Sequence, residues 1–230
     1  MPGESRRNAF RKLAKDLVGV DTVVYQQFDL DPTEPIIGQG DRLARIAIFG
    51  RDPGREEVRW RQPFIGAGGQ KVRAVLYKAL FGDEMPDFEA SIEAGKYVFW
   101  ANTVPYKPIG NKAWPQKVKR MFQPLMASVL LESWAGTHII TLGREAFLWF
   151  GLGLSKDDRK SLEAFWKQED RFESDYRVKL VAPSGEARTL NLCPLPHPSP
   201  LNATWYAKFP GLLANRLQQL QFSRENWKAS

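Results

Sequence analysis

Cysteine is nearly missing from this chain. Cys193 stands alone among 230 residues. An intramolecular disulfide is therefore excluded, and so is a four-cysteine iron–sulfur cluster or any metal site built only from cysteine. A reducing cytoplasm is the simplest expected location. Long apolar runs are missing too: no stretch reaches about 18 apolar residues, so no membrane span is expected. The first residues, Met1-Pro2-Gly3-Glu4-Ser5-Arg6-Arg7, are polar and contain no apolar signal core, so secretion is not expected. There is no internal repeat and no low-complexity segment. There is also no Gly-x-Ser-x-Gly elbow and no phosphate-cradling P-loop, which turns attention away from acyl transfer and from Walker-type phosphate chemistry.

What the chain does have is positive charge and aromatic bulk. Lysine and arginine number 33 against 26 acids, giving a net charge of +7 and a pI near 9.5. That balance suits a polyanionic partner such as nucleic acid. The hydrophobic share is 43%, ordinary for a globular protein, and most of the 14 phenylalanines and 8 tryptophans are expected in a core. The length fits one domain over 1–230, with an N-terminal helix and loop (1–43) packed on it.

The patterning alternates strands with helices. Ile46-Ala47-Ile48-Phe49-Gly50 reads as a buried strand that breaks at Gly50, Asp52-Pro53 and Gly54. Tyr97 to Asn102 and His138 to Gly143 read as further strands, and Tyr176–Val181 with Arg188–Leu192 as a hairpin around Pro183-Ser184-Gly185-Glu186. Helices are predicted over Arg6–Val18, Gln70–Phe81, Pro115–Trp134 (with Pro124 as a possible kink), Arg144–Phe150, and from Tyr206 or Pro210 to Leu220. Arg51–Gly69 and Asp83–Glu93 read as connections, with the charged 55–62 stretch exposed. The 155–175 stretch reads as a solvated helix and loop. The predicted architecture is a three-layer α/β/α sandwich around a mostly parallel sheet of about four strands.

Three apolar strands are followed by chemistry-bearing side chains: Asp52, Asn102 and, after Leu192 to Pro196, His197. In a parallel sheet such ends converge on one edge, where ligands bind. The glycines of Phe64-Ile65-Gly66-Ala67-Gly68-Gly69 let backbone approach a ligand and present Phe64 as an aromatic face. An amide can pair a base's carbonyl and adjacent N–H, a phenyl ring can stack on it, an imidazole can donate to a developing anion, and a carboxylate can stabilise a sugar cation or position water. Together these suit cleavage of a base–sugar bond. The spacing around Asp52 alone also suits an ordinary turn. His138 and Cys193 read as structural.

With those residues in view, the chain resembles the uracil-DNA glycosylase superfamily. Gly50-Arg51-Asp52-Pro53 is similar to the G-Q-D-P motif of the family 1 enzymes, and His197-Pro198-Ser199-Pro200-Leu201 matches their H-P-S-P-L motif at every position. Pro63 to Gly69 resembles the P-F-V-G-x-A-G motif of family 4, and Asn102 to Lys112 resembles its N-x-V-x-C-R-P-P-G-N-R. Three departures stand out, one of them Arg51, which takes the place of a family 4 glutamate one position before Asp52. Tyr106 takes the place of a family 4 cluster cysteine, so no iron–sulfur cluster is expected. Gly54 takes the place of a family 1 tyrosine that crowds the 5-position of the base.

The resemblance implies a monofunctional glycosylase of base excision repair that flips uracil out of DNA and hydrolyses its glycosidic bond, with other deaminated bases as further candidates. It implies Asp52 and His197 as catalytic residues. Phe64, Asn102, Gly50 and Arg51 would contact the base, and Pro198, Ser199, Pro200, Leu201, Gly66, Gly68 and Lys112 the DNA, with Leu201 as the wedge and Arg144 a weaker backbone contact. No cofactor and no metal is implied, and a monomer is expected. Two alternatives stay open: a non-catalytic DNA- or base-binding protein of the same fold, and an unrelated hydrolase of free nucleosides.

Overall fold

The computed structural model describes residues 3–199 and 203–229, so Pro200 and Leu201 lie outside the described residues. In chain order the elements are α1 (Glu4–Ala14), α2 (Thr22–Gln27), β1 (Ile46–Gly50), α3 (Arg55–Trp60), α4 (Ala67–Phe81), α5 (Phe88–Gly95), β2 (Phe99–Asn102), a 3₁₀ turn (Ile109–Asn111), α6 (Gln116–Glu132), β3 (His138–Leu142), α7 (Arg144–Trp149), α8 (Lys156–Trp166), β4 (Tyr176–Val181), β5 (Ala187–Leu195) and α9 (Ala203–Gln219).

The sheet has five strands in the order β2-β1-β3-β5-β4, one more than expected. β2, β1, β3 and β5 run parallel, and β4 closes one edge as the antiparallel arm of a hairpin with β5. Every residue of β1 is buried, as a central parallel strand requires. Its side chains alternate between the two faces. Ala47 and Phe49 join a core formed with α1, α6, α7 and β4, while Ile46 and Ile48 join a second core formed with α4 and α9. The sandwich is therefore three layers deep.

Several boundaries differ from the sequence reading, each for a local reason. The first helix stops at Ala14 rather than Val18; the chain turns through 15–19 to bring Val20 into an antiparallel bridge with Pro108, which leaves Val18 90% exposed. The 55–62 stretch contains α3, and only its Val58 is fully buried, so its periodicity is faint. α4 begins at Ala67, three residues early, so Gly68 and Gly69 sit within its first turn. The 83–93 connection contains α5, capped by the Asp87 carboxylate accepting from Ala90 N (2.8 Å), and its buried face is small: Ser91, Ala94 and Gly95. α2 had no counterpart in the sequence reading. α6 carries Pro124 without ending, and Pro115 precedes the helix as its N-cap.

β1 leads to β2 on one side, whereas β3 leads to β5 on the other. Connections leaving neighbouring strands in opposite directions open a crevice at their carboxyl ends. The pairing places Gly50 opposite Asn102 and Leu142 opposite Leu195. Asp52, Asn102 and His197 therefore leave the sheet at one level along one edge.

Candidate active site

A cleft of about 310 Å³ lies at this edge, lined among others by Arg51, Asp52, Phe64, Asn102 and His197. Its size falls at the small end of ligand pockets, which span about 300–1,000 Å³. A larger cavity of about 540 Å³ sits between α1 and the 30–39 segment; acids (Asp31, Glu34) and an amide (Gln39) line it, but no imidazole does. Chemistry rather than volume selects the smaller cleft.

Asp52 sits two residues beyond β1, and its side chain is only 1% exposed. Thr103 Oγ1 donates to its Oδ1 (3.0 Å), and Trp114 N donates to its Oδ2 (3.4 Å). Arg51 Nε approaches Oδ2 at 3.8 Å and has no hydrogen-bond partner among the described residues. Burial pushes the Asp52 carboxyl up to about 6, against the opposing pull of Arg51, the Thr103 bond and Lys119. Lys119 is itself buried and paired with Glu145 of α7.

Asn102 ends β2, nearly fully buried. Its Nδ2 donates to Arg51 O (2.7 Å), which holds the amide plane. Its Oδ1 is buried and has no partner among the described residues. A buried acceptor left unpaired is costly unless something fills it.

Phe64 has a left-handed backbone (φ 56°) and is half-buried, its ring 5.2 Å from that of Trp100. Gly50 makes room for it: a Cβ there would lie 2.5 Å from Phe64 Cζ. The Phe64 carbonyl accepts from Arg73 Nε (2.8 Å), and the buried Arg73 guanidinium lies 4.5 Å from the Trp100 ring centre. One buried arginine thus ties the aromatic loop to β2.

His197 follows β5, where Gly143 (φ 88°) clears its path; a Cβ on Gly143 would sit 2.9 Å from His197 Cβ. Burial and the nearby Arg51 charge lower the His197 imidazole to about 4, so it is neutral at physiological pH.

Of the remaining expected site residues, Gly66, Gly68, Pro198 and Ser199 line the cleft, and Gly50 lies beneath Phe64 rather than on its wall. Lys112 is exposed and follows the 3₁₀ turn outside the lining; Arg144 is exposed at the start of α7. Pro200 and Leu201 fall outside the described residues.

Four neighbours were missed in the sequence. Glu57 of α3 accepts from Gly54 N (2.9 Å) and Gly66 N (2.8 Å) and lines the cleft, so it takes up the space beside Gly54. The 55–62 stretch, expected to be exposed, thereby contributes a wall of the site. Thr103, Trp114 and Lys119 surround Asp52; Thr103 was hinted at by adjacency to Asn102, the others by nothing local. Where family 4 has a cluster cysteine, Tyr106 is buried against Phe122 (ring centres 5.4 Å apart) and donates to Thr33 O (2.9 Å). Among the described residues no three His, Cys, Asp or Glu side chains converge as a metal cage would need.

The family model of the uracil DNA glycosylase superfamily matches residues 37–221, well over half of the chain. No curated protein matches it.

Proposed function

We propose that this chain, which belongs to the uracil DNA glycosylase superfamily, hydrolyses the glycosidic bond of uracil in DNA and leaves an abasic site. The observation that carries this reading is the buried Asn102 Oδ1, without a partner among the described residues, in a cleft shared with a buried acid and a neutral imidazole. A flipped-out uracil offers an N3–H for that oxygen, and its O4 can accept the second Nδ2 hydrogen of Asn102. Phe64 stacks on the ring. As the bond breaks, negative charge gathers on the base, and the His197 N–H stabilises it at O2 without a proton being transferred in advance. The ionised Asp52 faces the positive charge building on the sugar and orients the water that attacks C1′. The water's hydroxyl becomes the new C1′ substituent, and its proton ends on the departing base. With no side chain on Gly54, Glu57 bounds the base on that flank.

The test is a cleavage assay on labelled DNA carrying one uracil, single- and double-stranded, followed by alkali, with hypoxanthine and xanthine substrates alongside. Strand scission at uracil is expected. No cleavage at any base overturns the enzyme reading in favour of a binding protein.

The pH profile gives a second check. Asp52 must be ionised and His197 neutral, so kcat/KM rises with pH through an apparent pKa of about 6 and is flat beyond it. In kcat, which reports the DNA-bound enzyme, phosphates near Asp52 favour its neutral form and displace the limb upward rather than downward. A rate that falls between pH 5.5 and about 7 contradicts an ionised Asp52.

A further inference from the structure

The 108–112 loop carries a feature that the reaction above does not use. Ile109 is 60% exposed at the tip of a 3₁₀ turn. A lone exposed isoleucine is ordinary. This one is held in a built position. Gly110 (φ 65°) and Asn111 (φ 54°) are both left-handed, an uncommon pair that fixes the tip. Below it, Lys107 is buried and pairs with Asp21 (2.7 Å), and Ile109 N donates to Gly19 O (2.9 Å). Arg51 Nη2 donates to Asn111 O (2.7 Å), so the tip is tied to the residue beside Asp52. Pro108 and Asn111 both line the cleft, so Ile109 and Gly110 project from its rim.

The strand order gives the direction. The loop follows β2, and His197 follows β5, with β1 and β3 between them. The two segments therefore flank Asp52 from opposite sides of the sheet edge. We propose that Ile109 is a second wedge, entering the duplex beside the flipped nucleotide from the β2 side and holding the stack open against the His197 segment. Lys112, exposed three residues on, supplies a cation for the adjoining phosphates. The occupant is double-stranded DNA, since only a duplex has a stack to part and refill. This rests on the glycosylase reading, and its test separates the two.

Ile109→Ser and the conservative Ile109→Leu are compared with wild type in two assays. In the first, cleavage of single-stranded uracil DNA is expected to stay within about twofold for both variants, while Ile109→Ser loses about tenfold on duplex and Ile109→Leu retains most activity. In the second, 2-aminopurine is placed opposite a tetrahydrofuran abasic analogue. Its fluorescence rises when wild type or Ile109→Leu binds and rises much less with Ile109→Ser. If wild type cleaves uracil but Ile109→Ser equals it on duplex and in fluorescence, the wedge falls alone. An equal loss on single strands also overturns it, because a fault shared by both substrates is not a wedge. If wild type neither cleaves uracil nor binds the abasic duplex, the glycosylase reading and the wedge fall together.

Discussion

Asp52→Asn is expected to lower turnover by about a thousandfold while raising the melting temperature. The loss follows from removing the one carboxylate facing the reacting sugar, since a positioned acid–base or charge-stabilising group contributes about 10²–10⁴ in rate. The gain follows from burial. The side chain is 1% exposed and its carboxyl lies near 6 in the folded protein against an ordinary 3.8. A raised folded pKa means that this group favours the fold most fully below the unfolded value, and that the contribution is lost as pH rises through about 6. At pH 8 the ionised Asp52 therefore works against folding by about 3 kcal/mol. Asparagine removes that cost but reproduces only part of the hydrogen bonding from Thr103 and Trp114, worth about 0.5–1.5 kcal/mol each. A net gain of about 1–2 kcal/mol remains, or about 3–6 °C for a chain of this size. Below pH 4 the ionisation cost is absent, only the lost hydrogen bonding remains, and the variant is expected to be the less stable by about 1–2 kcal/mol. Binding to abasic duplex is retained. Calorimetry at pH 8 and pH 4 with single-turnover cleavage checks both arms. An inactive variant that is also less stable at pH 8 points to damage instead of lost chemistry, and an active one removes Asp52 from the mechanism.

The same burial explains how far the site could be read before its geometry was known. Strand ends are legible because an apolar run must stop where polar function begins: Phe49-Gly50 before Asp52, Trp100-Ala101 before Asn102, and Leu195-Pro196 before His197 all sit in this pattern. Glu57 was not legible, because its role depends on α3 being a helix. Only a helical turn carries its carboxylate back to Gly54 N, three residues earlier, and across to Gly66 N. α3 itself is six residues long with one fully buried side chain, too short for a 3.6-residue period to stand out from the charges around it. Trp114 and Lys119 reach Asp52 across 62 and 67 residues of chain, a relation that no local pattern encodes. The resemblance to known motifs located Phe64, but not why it stays in place. That depends on Arg73, a buried guanidinium whose bonds to Phe64 O and Ser91 O (each 2.8 Å) join the loop to α5.

Gly69→Ala carries the second large effect, and its sign is the informative part. Gly69 lies in the first turn of α4, where alanine would favour the helix by about 1 kcal/mol over glycine. A Cβ there, however, would fall 2.0 Å from Phe64 O and 2.2 Å from Phe64 C, backbone atoms that cannot swing aside. The Phe64 carbonyl is also fixed by Arg73, so relief requires the whole 63–66 segment to move, with the ring leaving its place over Gly50. Overpacking of this kind costs about 1–3 kcal/mol or somewhat more, which outweighs the helix preference. The expected result is a melting temperature lower by about 3–8 °C, and cleavage at uracil down by at least about a hundredfold, because the stacking face is displaced by an ångström or more. Gly68→Ala is the matched control. Its Cβ would meet Pro198 O at 3.0 Å, one contact at the far side of the cleft, and the same helix preference roughly offsets it. That variant is expected to melt within about 2 °C of wild type and to lose affinity for DNA rather than turnover. If Gly69→Ala melts with or above wild type, helix propensity has won over the contact, and the Phe64 loop is not the rigid platform on which base stacking in this cleft depends.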